Sequence, residues 1–300
     1  MALAAFTWTE FAQQIAAGVR EGAIYAGLAL AIVIIYRSAR VINFAQGEMA
    51  TFTTFVAWSL MNHGLSFWTA FPIVLAIAFA GGVAVERVVI RPVENASVLT
   101  IVIVTLGLAL LLNGLTSLIW GGGERQFHGP FSTRTIDVGG VPISVQDIGI
   151  VVVSIALVLL LGLFFRYTKL GLALRAAAVN PDSSRLVGVR VGWMLALGWG
   201  IAAVLGAVAG MMIAPVVFLD PNMMQTILLY AFAAAVLGGL DSPVGAVVGG
   251  ILLGVTITLL GRYVGFIGST LKLPAALLLI LLLLLVRPGG LFGRVAVRRV

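Results

Sequence analysis

The sequence predicts an all-α integral membrane protein with about eight or nine transmembrane or re-entrant helices. Three observations carry that fold class. Of 300 residues, 61% are hydrophobic and only 10% charged, whereas soluble domains carry about 25% charged residues, so there is too little polar surface to face water all round. The mean hydropathy is +1.15. The 36 glycines suit helices whose backbones approach closely in lipid. The same composition excludes several chemistries. With no cysteine there is no disulfide, thiolate metal site or thiol nucleophile. With only His63 and His128, a multi-histidine zinc site is not expected, and no metal site or catalytic residue is assigned. The net charge of +7 is spread among loops, which fits membrane topology and not nucleic-acid binding. Met1–Glu10 lacks a basic start, so no cleavable signal peptide is expected.

A span needs about 20 mostly apolar residues. In order, the candidates are 11–36, 44–62, 67–85, 97–120, 146–165, 191–213, 226–240, 243–261 and 271–286. Arg20 and Glu21 interrupt the first, which reads as an interfacial turn followed by a short span. Only Asp241 and Ser242 separate 226–240 from 243–261, so either two spans or a re-entrant pair fits. No gap is long enough for a soluble domain, and residues 1–300 read as one transmembrane domain. Gly206 and Gly210, Gly245 and Gly249, and Gly250 and Gly254 are each four apart and offer flat faces for helix contact. If all nine segments span and the C-terminus is cytoplasmic, thirteen of the 18 Lys and Arg residues fall in inside loops against four outside, with Arg20 unassigned. The positive-inside rule then places the loop 166–190 and the C-terminal tail in the cytoplasm.

That loop carries its own helix signals. Leu170–Val179 is rich in Ala and Leu. Asn180 is a capping residue with Pro181 at the first helical position, and Gly188 supplies a left-handed stop. Two short helices carrying Arg175 and Arg185 follow, serving either as a basic interfacial loop on anionic headgroups or as a docking element for a cytoplasmic protein.

Asn43 followed by Gln46 is a capping-box arrangement opening the second helix. Glu48 then lies one turn inside, near the cytoplasmic face, where it either pairs with Arg37 or Arg40 or marks a gate or pathway, because an acid at membrane depth is costly. Thr and Ser within the spans are expected to bond back to their own helices. Asn113 is harder to hide, with four hydrogen-bonding positions to satisfy, and is either a pathway residue or helix–helix glue. Lys169 and Lys272 are the only lysines and neither follows a glycine, so the chain lacks a phosphate-cradling loop.

Four blocks in order resemble the branched-chain amino-acid ABC importer permeases. They are Gly22–Met49, with Asn43-Phe44-Ala45-Gln46-Gly47-Glu48; the loop with Gly171, Leu174-Arg175-Ala176, Asn180, Arg185-Leu186 and Gly188; Ala233–Gly254; and Leu285–Gly293. The match points to the shorter, H-type subunit. In the first block Gln46 stands where His is usual. The resemblance implies a multi-pass protein of a bacterial-type inner membrane that is a transport subunit and not an enzyme. It implies small, mostly apolar amino acids as cargo, with an importer for urea or short amides as the alternative within the class. An ATP-independent channel or carrier is the alternative outside it. The implied partners are an M-type permease, two cytoplasmic ATPases that bind ATP and Mg, an extracytoplasmic solute-binding protein and membrane lipid. This chain itself would hold no cofactor. Gly171, Arg175, Asn180, Pro181, Arg185 and Gly188 would form the ATPase-coupling surface, and Asn43, Gln46, Glu48 and Asn113 the substrate pathway or gate.

Overall fold

The structure is a computed structural model that describes residues 7–268 and 270–293. Arg294, Arg298 and Arg299 of the basic tail, and Met1–Phe6, lie outside the described residues. The helices are α1 (Trp8–Ala39), α2 (Gln46–Asn62), α3 (Phe67–Val85), α4 (Val98–Trp120), α5 (Val145–Tyr167), α6 (Lys169–Val179), α7 (Pro181–Leu186), α8 (Val191–Val217), α9 (Met223–Gly238), α10 (Pro243–Tyr263) and α11 (Lys272–Val286).

All nine expected segments are helical, but fewer reach full spanning length than expected. Among the described residues six are long and apolar enough to cross: α1, α3 with its continuation to Val93, α4, α5, α8 and α10. α9 and α11 are apolar but have 16 and 15 residues, about 23 Å of helix against a hydrocarbon core of about 30 Å. α2 has 17 residues. The 226–261 region forms two helices, broken at 239–242, where Gly239 takes φ +105° and Ser242 caps α10 by accepting from Gly245 N–H at 3.0 Å.

The expected turn at Arg20-Glu21 does not form; α1 is one continuous helix of 32 residues. The reason is charge pairing. Arg20 donates to Asp147 at 3.1 Å and lies 3.7 Å from Glu21. Glu21 in turn accepts from Tyr25 and from Thr258, each at 3.4 Å. Charges that satisfy one another let a helix run on through an apolar setting.

The described residues pack as two compact units. One comprises 7–33, 131–155, 226–268 and 270–293. In it Gly18 and Gly22 of α1 face Gly250 and Gly254 of α10. A Cβ at Gly22 would lie 2.7 Å from Ile251 Cα, and one at Gly250 would lie 2.6 Å from Ala26 N. Two small-residue stripes thus seat backbone on backbone. The same unit holds an unforeseen hairpin, β1 (Thr135–Val138) with β2 (Val141–Ser144). Its two-residue turn is Gly139-Gly140, both at positive φ, as a hairpin turn of this type requires. That Gly-Gly pair was the overlooked signal. Beyond α11, Leu291 N–H and Phe292 N–H bond to the carbonyls of Leu237 and Gly238 at 2.8 and 3.0 Å, tying the Arg287–Gly293 segment to the end of α9.

The other unit comprises 34–130 and 156–225. Its centre is α8, mostly buried, packed against α3 and α2, with α2 also packed on α4. α4 is mostly exposed and carries Leu110, Leu111 and Leu118 outward, an apolar surface fit for lipid.

The glycine stripes give a direct test. Gly22→Leu forces overpacking, which costs about 1–3 kcal/mol, and is expected to lower the thermal unfolding midpoint in detergent. Gly114→Leu on α4, where nothing lies within 4 Å, is expected to leave that midpoint unchanged.

Candidate functional site

In the second unit α1 ends at Ala39, Arg40 adopts a left-handed φ of +56°, and the chain turns inward. Val41, Asn43 and Ala45 are all buried and none is helical. Irregular backbone at membrane depth survives only where protein or a water-lined cavity satisfies its polar groups. Asn43 does part of this, and Gln46 anchors the turn to α8. The Asn43 side-chain oxygen accepts from Ala45 N–H at 3.0 Å, and its amide donates to Gln46 Oε1 at 3.2 Å. Gln46 Nε2 donates to the Ala202 carbonyl of α8 at 2.9 Å. The expected capping box is therefore corrected: Ala45 is the N-cap, with no side-chain cap bond, because both amides are used to bind the turn to itself and to α8. Gly206 makes room, since a Cβ there would lie 2.6 Å from Gln46 Nε2.

This arrangement also corrects the depth of Glu48. Ala202 lies eleven residues beyond Val191, where α8 begins, about 16 Å along the helix axis. α2 thus starts beside the middle of α8 and not at its end, so Glu48 lies farther along the helices than expected. Glu48 is 6% exposed and accepts from Asn113 Nδ2 of α4 at 3.3 Å. The same amide reaches the Pro221 carbonyl at 3.0 Å and Asn222 Oδ1 at 3.1 Å. Gln225 donates to Asn222 Oδ1 at 2.9 Å, beside the Glu48 carboxylate. One carboxylate and three amides from α2, α4 and the turn into α9 form one polar cluster. A carboxylate is thus the direct neighbour of Asn113. The threonines behave as expected: Thr51, Thr53 and Thr54 bond to carbonyls three or four residues back on α2. At the far end of α2 a cavity of about 720 Å³ is lined by Trp58, Phe67, Arg125 and His128 among others, with the Arg125 guanidinium 4.6 Å from the Trp58 ring centroid.

The 166–190 loop folds as the two short helices expected. Thr168 caps α6, accepting from Gly171 N–H at 2.9 Å. Gly171 lies against the backbone of Phe164 and Phe165. Asn180 caps α7, accepting from Ser183 N–H at 2.9 Å, with Pro181 in its first turn. Gly188 takes φ +85° just beyond it. Leu174 and Ala177 are buried against Val191 and Met194 of α8. On the outer side Val179, Leu186 and Val187 are each more than three-quarters exposed, beside an open Arg185 that pairs with Asp182 at 3.6 Å. Arg175 is different. It is half-buried and lines a small recess with Ile34, Arg37 and Ser38.

The family described as "Branched-chain amino acid transport system / permease component" matches residues 14–286. The chain belongs to this family. It is 32% identical to the high-affinity branched-chain amino acid transport system permease protein LivH of Salmonella typhimurium, across 97% of this chain and 98% of that one. It is also 32% identical to the BraD permease protein of Pseudomonas aeruginosa, with the same coverage, and 29% identical to a probable LivH of Methanocaldococcus jannaschii over 89% of this chain and 87% of that one. A solved chain, PsaBC from Streptococcus pneumoniae in complex with Fab, aligns over 92% of this chain and 89% of that one, with TM-score 0.46 and 14% identity.

In this permease the residues singled out from sequence fall into two groups in space. Asn43 and Gln46 form the buried turn, with Glu48 and Asn113 in the cluster beside it, while Gly171–Gly188 form the loop surface. Asn222 and Gln225 were missed. Both sit at a loop-to-helix junction with no motif of its own, and only the fold brings them to Glu48. The cluster separates two roles by measurement. Asn113→Leu leaves up to three acceptors without their donor, at about 1–3 kcal/mol for a buried one, and is expected to lower the unfolding midpoint. Glu48→Gln keeps the shape and an acceptor oxygen, and is expected to stay within about 1 kcal/mol of the parent.

Proposed function

We propose that this chain is the H-type permease subunit of an ATP-driven importer for branched-chain and other small, mostly apolar amino acids. Near full-length similarity to permeases of that name carries the reading. Its partners would be an M-type permease, two cytoplasmic ATPases holding ATP and Mg, and an extracytoplasmic solute-binding protein. The chain would act as one permease domain, multi-pass in the inner membrane, with the loop 166–190 and the C-terminus in the cytoplasm, a placement the Lys and Arg bias supports. It would transport and not catalyse, ATP being hydrolysed on the partner subunits.

The buried turn and the cluster are the proposed pathway and gate, formed by Asn43, Gln46, Glu48 and Asn113. A buried acid is costly in a membrane and is retained where an ion or a charged group passes. Glu48 offers a counter-charge to an α-ammonium group, and the nearby amides offer hydrogen bonds to the rest of a zwitterion. In proteoliposomes holding the assembled transporter, leucine uptake is expected to require both ATP and the binding protein. Glu48→Gln is expected to cut it severely at unchanged assembly. Uptake without the ATPases would make the chain a carrier, uptake of urea in place of leucine would reassign the cargo, and near-parental uptake by Glu48→Gln would remove the acid from the pathway.

The α6–α7 pair is the proposed ATPase contact. Its exposed Val179, Leu186 and Val187 beside Arg185 match the apolar and arginine character of interface anchors. Arg185→Glu is expected to weaken co-purification of the ATPases by about 2–5 kcal/mol in binding without loss of folding. Arg175→Glu is expected to destabilise the permease itself, since its side chain packs against the end of α1. Equal ATPase binding by Arg185→Glu and the parent would remove this surface from the interface.

A further inference from the structure

A second cavity in the same unit lies apart from the Glu48 cluster, at the end of the helices next to α6 and α7. It measures about 190 Å³ and is walled by the end of α1, the segment 86–95, α4, α6, α7 and α8. That is room for about six water molecules' share of liquid, the scale of a small amino acid and too little for a nucleotide. Two side chains that line it are buried and incompletely bonded. Glu86 is 1% exposed, in a π-helical turn, Glu86–Ile90, a departure from α-helix that recurs at functional sites. Its carboxylate has Arg87 Nε at 3.5 Å, but that guanidinium also lies 4.0 Å from the centroid of the Trp193 ring. Glu86 Oε2 accepts no hydrogen bond among the described residues. Trp199 is wholly buried, and its indole N–H likewise has no acceptor among them. A buried donor or acceptor without a partner costs about 1–3 kcal/mol.

The donor and acceptor set has a definite chemistry. The Glu86 carboxylate and the Trp199 indole, together with Ser38, Glu94, Asn95 and Arg185, line a cavity whose other residues, among them Val41, Ile90, Ile101 and Leu195, are apolar. An α-ammonium group supplies the donors Glu86 lacks. An α-carboxylate supplies the acceptor the Trp199 N–H lacks and accepts from Asn95, and an aliphatic side chain fits the apolar wall. We propose that this cavity is a regulatory site for a small aliphatic amino acid arriving from the cytoplasm. Its walls join Ala177, Pro181 and Arg185 of the α6–α7 pair to Ser38 at the end of α1 and to Leu195 and Trp199 of α8. An occupant therefore packs between the loop side and the membrane helices and resists displacement of that pair, so accumulated product slows further import. The inference rests on the importer reading above and on the orientation it gives the loop.

The test uses the complete transporter in proteoliposomes with ATP enclosed in the lumen, and binding protein with labelled leucine outside. Only molecules with their ATPases inside are then driven. Millimolar unlabelled leucine in the lumen is expected to slow initial uptake several-fold. Isocaproate, which lacks the ammonium group, and isopentylamine, which lacks the carboxylate, are expected to have no effect there. Glu86→Gln is expected to import normally into leucine-free vesicles and to lose the inhibition. Asn95→Ala, an exposed rim position tolerant of change, is expected to weaken it and serves if Glu86→Gln does not fold. Uptake by the parent that luminal leucine leaves unchanged overturns this site alone. So does inhibition that persists in full in the variants, or equal inhibition by either analogue. No ATP-dependent leucine uptake into leucine-free vesicles overturns the importer reading, and this site with it.

Discussion

Hydrocarbon offers no hydrogen bonds, so every backbone N–H and C=O at membrane depth needs a partner from the protein. Buried side-chain amides face the same demand, and the Gln46 amide meets it by donating to the Ala202 carbonyl of α8. Between Ala39 and Gln46 the chain leaves helical geometry yet stays buried, and Asn43 and Gln46 bond the turn internally and to α8. Because that turn is held beside the middle of α8, α2 begins there, and Glu48 follows into the interior. Had α2 begun at the membrane face, Glu48 would meet headgroups and water and need neither Asn113 nor Gln225.

Close helix packing is the second condition. In a lipid environment van der Waals contact and hydrogen bonds, more than water exclusion, hold helices together. Gly206 admits the Gln46 amide to α8, and Gly22 with Gly254 lets α1 and α10 meet backbone to backbone. These glycines are spacers whose function is to have no side chain. They complement the polar groups: a larger residue at 206 would displace the very amide that anchors the turn.

Charge inside the helices is managed by pairing in one place and kept incompletely satisfied in another. Arg20, Glu21, Asp147, Tyr25 and Thr258 pair with one another along α1, which runs unbroken, although Arg20 Nε keeps no hydrogen bond among the described residues. Glu86 and Trp199 instead keep unused bonding capacity beside a cavity. The contrast lies in the cavity: Glu86 and Trp199 line one, and the Arg20 group is paired within the helices.

Much of the architecture was legible in the linear order of residues, because its causes are local or compositional. Apolar runs located all nine principal helices, since lipid immersion demands them. Asn180-Pro181 and Gly188 marked the limits of α7, because caps and stops act within a turn of the residues that make them. The continuity of α1 through Arg20 was not legible, since Asp147 and Thr258, its remote partners, lie more than a hundred residues away. The same holds for Asn222 and Gln225 beside Glu48, and for Gln46 turning from an N-terminal cap into a bridge to α8. The sequence by itself determined that this chain lives in a membrane, where its helices fall and which family it resembles. Only the tertiary structure decided how deep Glu48 lies and what it touches, because depth and partnership come from contacts between residues far apart along the chain.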